Sequence, residues 1–173
     1  MDLKLFKLIN RLSGHFSPVD LLMIFVSNRI RYFYILITAL LLFKNRRNKR
    51  IALETGSAVF ISFVIQFFIK IFYYKPRPFK KRRVGILIPS KMDSSFPSKH
   101  TVLAFAASTS LLMFHRRLGI KMTWLSALTG FSRVWVGHHY PSDILGSALI
   151  GSLASVVTRI ISYRKFGNKP EIS

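Results

Sequence analysis

Between Ile51 and Tyr74 the chain carries only two charged side chains, Glu54 and Lys70. A helix needs about 20 apolar residues to cross the hydrocarbon core of a bilayer, and this stretch is long enough. Inside hydrocarbon every backbone N–H and C=O must be satisfied within the chain, so a run of this kind is helical. Four further apolar stretches repeat it: Leu21 to Phe43, Ser98 to His115, Met122 to Gly137 and Pro141 to Tyr163. The sequence therefore predicts an all-α, polytopic membrane helix bundle of about five to six helices, built as one domain over residues 1–173 with no internal repeat. In the first stretch Arg29 and Arg31 interrupt the apolar run. An Arg deep in a lipid-facing span is costly. The expectation is thus a short helix to Val26, a break at Ser27-Asn28 and a crossing after Ile30. Pro76 and Pro78 stop the second span. Ahead of all five, Met1 to Leu12 sets Leu5, Leu8, Ile9 and Leu12 on one face and Lys4, Lys7 and Arg11 on another. That pattern predicts a helix lying in the membrane interface rather than a cleavable signal peptide.

Charge decides what such a bundle meets. There are 27 Lys and Arg against 6 Asp and Glu, a formal +21. On a soluble protein this would point to nucleic acid. Here the basic residues sit between apolar stretches, so anionic lipid headgroups are the expected partners and nucleic acid is not. Lys44 to Arg50 holds five positive charges, and Arg116 to Lys121 and the tail (Arg164, Lys165, Lys169) hold three each. With five crossings all three clusters fall on one side, which the positive-inside rule makes cytoplasmic. The segment Lys75 to Lys99 then lies outside, although it holds eight Lys and Arg of its own. Function must account for some of those, or the topology is inverted. The chain has no Cys, which removes disulfides and thiolate chemistry.

Three segments at predicted helix ends carry chemistry. In the first, Lys70 and Arg77 are seven residues apart, about 10 Å of helix rise, and two long cations can converge over that distance. The plainer alternative is a snorkelling Lys70 and a solvated Arg77. The second is Pro97-Ser98-Lys99-His100. Ser98 suits an N-cap, and a helix start offers N–H groups and a positive dipole end to an anion, with His100 in the first turn. Pro89-Ser90-Lys91 lacks a following His and reads as loop. In the third, Ser132-Arg133 precedes His138-His139-Tyr140-Pro141-Ser142-Asp143. Pro141 suits a first helical turn. His139 and Asp143 are four apart, so the carboxylate can reach one imidazole nitrogen and leave the other free. The alternative is an acid that merely complements the helix dipole. Together the segments supply two His, an Asp, two Ser and three fixed cations, an inventory suited to phosphoryl transfer. Acids are too sparse for a magnesium cage and there is no Cys for structural zinc, so no metal or other cofactor is expected.

The spacing Lys70-x6-Arg77-Pro78, Pro97-Ser98-x-His100 and Ser132-Arg133-x5-His139-x3-Asp143 resembles the three-part signature of the type 2 phosphatidic acid phosphatase superfamily. The stretches Tyr74 to Phe79 and Thr129 to Pro141 are closer still to bacterial undecaprenyl-diphosphate phosphatases linked to bacitracin resistance. The resemblance implies a cytoplasmic-membrane enzyme that converts undecaprenyl diphosphate to the monophosphate on the extracytoplasmic side, feeding cell-wall synthesis. His139 would attack phosphorus and form a phosphohistidine, Asp143 would orient and support it, and His100 would serve as acid and then base. Lys70, Arg77, Ser98, Ser132 and Arg133 would hold phosphate oxygens. The same chemistry on phosphatidylglycerophosphate or phosphatidic acid is one alternative, and a non-catalytic anionic-lipid-binding protein is another. His138 competes with His139 for the nucleophile's place. The family usually has Gly, or in this branch Asp, where this chain has Lys99. A cation there either opposes a protonated His100 or points outward to the distal phosphate or to headgroups. Nothing in the sequence speaks to oligomeric state.

Overall fold

A computed structural model describes residues 2–81, 85–89 and 93–166. Met1, Ser90, Lys91 and Lys169 lie outside the described residues. Every regular element among the described residues is a helix: α1 (Asp2–Asn10), α2 (Ser17–Leu42), α3 (Arg46–Phe72), α4 (Pro78–Lys81), α5 (Lys99–Phe114), α6 (Arg116–Trp135) and α7 (Pro141–Phe166). The all-helical bundle is as expected. α2, α3 and α7 are long and apolar enough to cross a membrane. Their outward faces expose large apolar side chains, among them Phe25, Phe60, Phe67, Leu149 and Leu153, as a surface facing lipid requires.

Local chemistry fixes the helix ends. Pro18 opens α2 in the first helical turn. The Asn45 side chain accepts the Asn48 N–H at 2.8 Å and caps α3. Two expected boundaries are corrected. α2 runs unbroken through Ser27-Asn28, with Arg29 and Arg31 both exposed and Arg31 also on the wall of a cavity. The predicted loop from Arg116 to Lys121 is instead the first turn and a half of α6, and His115 alone joins α5 to α6. A Cβ on Gly119 would lie 2.1 Å from Leu112 Cα, so this tight corner depends on glycine.

α5 is the central helix and touches α3, α6 and α7. Its inner face is small: Ala104, Ala106, Ala107, Ser108 and Ser110 are all buried. Small residues let helix backbones approach closely where lipid offers no hydrophobic drive to association. Against α7 the approach repeats every four residues. The Ser98 N–H donates to Ser147 Oγ at 2.7 Å, Gly151 meets the Val102 carbonyl, and Ser155 Oγ donates to the Ala106 carbonyl at 2.6 Å. On the other side Tyr34, Ile51, Leu111 and Met122 form the main apolar cluster.

α1 docks at the end of the bundle where α6 stops and α7 starts. Phe6 is fully buried against Tyr140 and Val134, with Leu3 and Ile9 beside it. Leu5, Leu8 and Leu12 remain exposed, as an interfacial helix requires, but Ile9 belongs to the protein-facing side rather than to the expected lipid face. A Cβ at position 151 would sit 2.2 Å from the Val102 oxygen. Gly151→Ala should therefore destabilise the bundle by about 1–3 kcal/mol, as overpacking does. Thermal unfolding in detergent should show Tm lowered by about 2 °C or more. An unchanged Tm would show that α5 and α7 are not held this close.

Candidate active site

The exit from α3, the segment before α5 and the turn between α6 and α7 meet at one end of the bundle. Gly137 makes the last turn possible. It has φ +85°, and a Cβ there would lie 2.4 Å from the Gly85 carbonyl oxygen. Asn10 of α1 holds this region together, donating to the carbonyls of Gly85 and Trp135 at 3.0 Å each and accepting the Gly85 N–H at 3.1 Å.

A cavity of about 940 Å³ opens here. It is lined at its polar end by Lys70, Arg77, Lys99, His100, Arg133 and His139. Lys70 and Arg77 do converge, as their spacing suggests, and they do so on one carboxylate. Asp93 accepts from Lys70 Nζ at 2.8 Å and from Arg77 Nη2 at 2.6 Å. Burial alone would raise the Asp93 pKa, but these two partners hold it below the usual carboxylate value.

The two adjacent histidines differ in what they leave free. His138 accepts from Arg133 Nη2 at 2.6 Å through Nδ1, and its Nε2–H donates to the Ile88 carbonyl at 2.8 Å. Both of its nitrogens are engaged. His139 donates from Nδ1 to the Ser95 carbonyl at 2.6 Å. Its Nε2 then carries a lone pair, 3.5 Å from Arg77 Nη1 at the cavity wall. Burial, with the charges of Arg133 and Arg77, pushes the His139 pKa well below the ordinary 6.5. Burial and Arg133 push His138 down to about 4. Both rings are thus neutral at physiological pH.

Asp143 is fully buried and lies behind His139, not against it. Its carboxylate accepts from Ser95 Oγ, from Lys75 Nζ at 2.6 Å and from the Tyr140 N–H at 2.9 Å. The expected direct Asp143–His139 pair is therefore replaced by a relay. Asp143 fixes Ser95, and the Ser95 carbonyl fixes the imidazole. Lys75 also stacks on the Tyr140 ring at 4.8 Å and reaches Asp2 at 3.4 Å. Burial disfavours its charge, yet Asp143 and Asp2 hold its pKa above the usual lysine value.

Ser98 and Ser132 lie outside the cavity lining. Ser98 is at the N-cap position of α5, but its hydroxyl accepts from Thr101 Oγ1 at 3.0 Å instead of capping a backbone N–H. Ser132 Oγ donates to the Thr129 carbonyl at 2.7 Å. Both serines are fully buried. The residues that sequence reasoning missed are Lys75, Asp93, Ser95 and Asn10. Asp93 was open to notice, as one of six acids in a basic chain. Ser95 meets His139 through its carbonyl, which leaves no residue signature, and Asp143 through its hydroxyl.

The PAP2 superfamily model matches residues 51–166, a span that contains all three motifs. Undecaprenyl-diphosphatase BcrC of Bacillus subtilis (strain 168) is 41% identical over 87% of this chain and 78% of its own. An undecaprenyl-diphosphatase of Sulfolobus acidocaldarius is 32% identical over 91% of this chain and 76% of its own. Among solved structures, Aquifex aeolicus LpxE superposes with a TM-score of 0.78 at 27% identity, covering 92% of this chain and 94% of that one.

Histidine-selective NMR titration, assigned with His138→Gln and His139→Gln, should find both rings uncharged at pH 6. A depressed pKa keeps the neutral form as pH falls past the ordinary value. A midpoint at 6.5 or above for His139 would contradict the burial and charge described here.

Proposed function

The chain belongs to the PAP2 superfamily, and from that premise we propose that it hydrolyses undecaprenyl diphosphate to undecaprenyl phosphate and inorganic phosphate, acting as one domain and without a metal. The observation that carries this reading is the shape of the cavity. Its polar end holds the cations and His139, and the rest runs as a groove between α2 and α3. Tyr34, Thr38 and Leu42 line one wall, and Thr55, Val59 and Phe63 line the other. Ser27 to Leu42 spans about 22 Å at 1.5 Å per residue. A charged end joined to a long apolar groove fits a phosphorylated lipid with an extended chain, and the relatives named for undecaprenyl diphosphate support that choice of lipid.

In this mechanism Lys70, Arg77 and Arg133 bind the terminal phosphate and stabilise the charge that spreads over its oxygens. The phosphate takes the place of the Asp93 carboxylate on Lys70 and Arg77. His139 Nε2 attacks phosphorus in line, and the bond to the bridging oxygen breaks. His100 gives that oxygen its proton, and the lipid monophosphate leaves. His100 then takes a proton from water, which attacks the phosphohistidine and releases phosphate. The Asp143–Ser95 relay keeps Nδ1 as the donor, so Nε2 is the nucleophile, and it supports the positive ring of the intermediate. Ser98 and Ser132 contribute by holding helix ends rather than by meeting phosphate.

The site belongs on the extracytoplasmic face of a bacterial cytoplasmic membrane, with five crossings. Lys44 to Arg50, Arg116 to Lys121 and Arg164-Lys165 all fall at the opposite end of the bundle, where a cytoplasmic surface collects basic residues.

Phosphate release in detergent with excess EDTA, measured side by side on undecaprenyl diphosphate, phosphatidylglycerophosphate and phosphatidic acid, should be fastest on the first. His139→Ala should lower it by about a thousand-fold or more. A base-stable phosphoenzyme should be trapped in His138→Ala and lost in His139→Ala; the reverse would move the nucleophile to His138. On intact cells a thiol reagent should label Lys80→Cys and not Lys49→Cys, and the opposite result would invert the topology.

A further inference from the structure

Arg31 is the charge that the sequence could not place. It lies in the middle of α2, an otherwise apolar helix, and the helix passes through it without a break. An ionisable residue at such a depth persists when it faces a cavity and has work there. Arg31 shares the cavity face of α2 with Ser27, Tyr34 and Thr38, at helical spacings of four, three and four. The N-terminus of α2 is at the active-site end, and Arg31 is on the cavity wall with a long side chain that is exposed rather than packed. It lines the same cavity as His100 and Arg133. Among the described residues it contacts no carboxylate. Its partner is Tyr32, through the hydroxyl at 3.2 Å and the ring at 4.9 Å.

Two more groups on the same cavity are unmatched. Lys99, at the start of α5, lays its Nζ 4.8 Å from the centre of the Phe63 ring on α3 and pairs with no described carboxylate. Gln66 sits on α3 between Phe63 and Lys70. It is 4% exposed, and its Oε1 has no hydrogen-bond partner among the described residues. A buried amide without a partner is costly, and a bound ligand removes the cost. By helix rise Gln66 lies about 6 Å deeper in the groove than Lys70. These three residues come from three helices, and His100 lies beside them on the cavity wall with no hydrogen bond to any described residue.

We propose that Arg31, Gln66 and Lys99 form a second phosphate subsite, which holds the lipid-linked phosphate of a diphosphate while Lys70, Arg77 and Arg133 hold the terminal one. The inference rests on the diphosphate reading above and extends it to how this chain recognises two phosphates instead of one. When the P–O bond to the terminal phosphate breaks, its electron pair stays on the bridging oxygen. The leaving lipid monophosphate thus gains negative charge beside Arg31 and Lys99. Stabilisation at that position acts on the transition state and not merely on binding. It also gives Lys99 a role. The cation next to His100 is a ligand for the leaving phosphate, and that phosphate offsets its effect on the imidazole.

The test uses the full-length protein in detergent, with Arg31→Gln and Lys99→Gln. Both side chains are exposed to the cavity, and monodispersity with an unchanged Tm shows that each variant is folded. Two readouts are taken: kcat/KM on undecaprenyl diphosphate, and the inhibition constants of methylenediphosphonate and of inorganic phosphate. Each variant should lose about ten-fold or more in kcat/KM. Each should weaken the diphosphonate by a larger factor than the phosphate, and Arg31→Lys should restore part of the difference. Equal weakening of both inhibitors, or no change, overturns the subsite and leaves the substrate reading intact. If the wild type does not hydrolyse the diphosphate, the substrate reading falls and the subsite with it.

Discussion

Three parts of the chain that are remote in sequence converge on the buried carboxylate of Asp143. Lys75 comes from the exit of α3, Ser95 from the segment before α5, and the Tyr140 N–H from the turn into α7. Any one contact could be local. All three together fix where α3, α5 and α7 end relative to one another. The imidazole of His139 hangs from the same knot, because the Ser95 that donates to Asp143 through its hydroxyl accepts from His139 through its carbonyl. Removing one partner from a buried charge pair commonly costs about 3–5 kcal/mol. Here the cost would fall on the placement of His139 as well as on the fold, since its Nδ1 has no other support among the described residues.

The scarcity of acids gives this arrangement its meaning. The five acids among the described residues are all engaged. Asp2 joins Lys75 to Ser142, Asp20 accepts from Trp135 and Gly14, Glu54 ties α3 to Arg159 of α7, and Asp93 bridges Lys70 and Arg77. Four of the five lie at the active-site end. They act as pins for the helix ends and loops around a cavity that is otherwise strongly cationic. Among them Asp93 alone rests on the two cations that the mechanism gives to phosphate, and its side chain is the most exposed of the carboxylates in ion pairs. It lies where the proposed mechanism places the terminal phosphate.

Much of this was legible in the sequence. Apolar runs of span length are physical signals in their own right, and they gave the helices and the end at which chemistry collects. Lys70, Arg77, His100, Arg133 and His139 meet on one cavity because helix ends convert sequence spacing into convergence. What escaped had other causes. The Asp143–His139 distance was read as a direct bond, yet four residues that begin in a turn do not follow helical spacing. Ser95 meets His139 through a carbonyl, which any residue possesses, and its hydroxyl reaches an acid 48 residues away, which no local pattern signals. Ser98 and Ser132 have the identities of phosphate ligands, but their hydroxyls are committed to Thr101 and Thr129. The break expected near Ser27 assumes that Arg31 meets only lipid, and only the tertiary arrangement puts a cavity wall beside it.

Arg31 and Lys99 then become parts of one question, which is why a membrane cavity should hold more cations than one phosphate needs. Lys70, Arg77 and Arg133 already line the cavity beside His139, and the first two share the single carboxylate of Asp93. Arg31 and Lys99 have no such counter-ion among the described residues. A cationic cavity opening onto an apolar groove is costly to keep empty. That cost argues for a ligand that brings more negative charge than a single phosphate and leaves part of it, on the lipid, at the deeper end. A diphosphate does this by its chemistry. Breaking its anhydride bond splits the charge between the two sets of cations, with His100 between them at the oxygen that must be protonated.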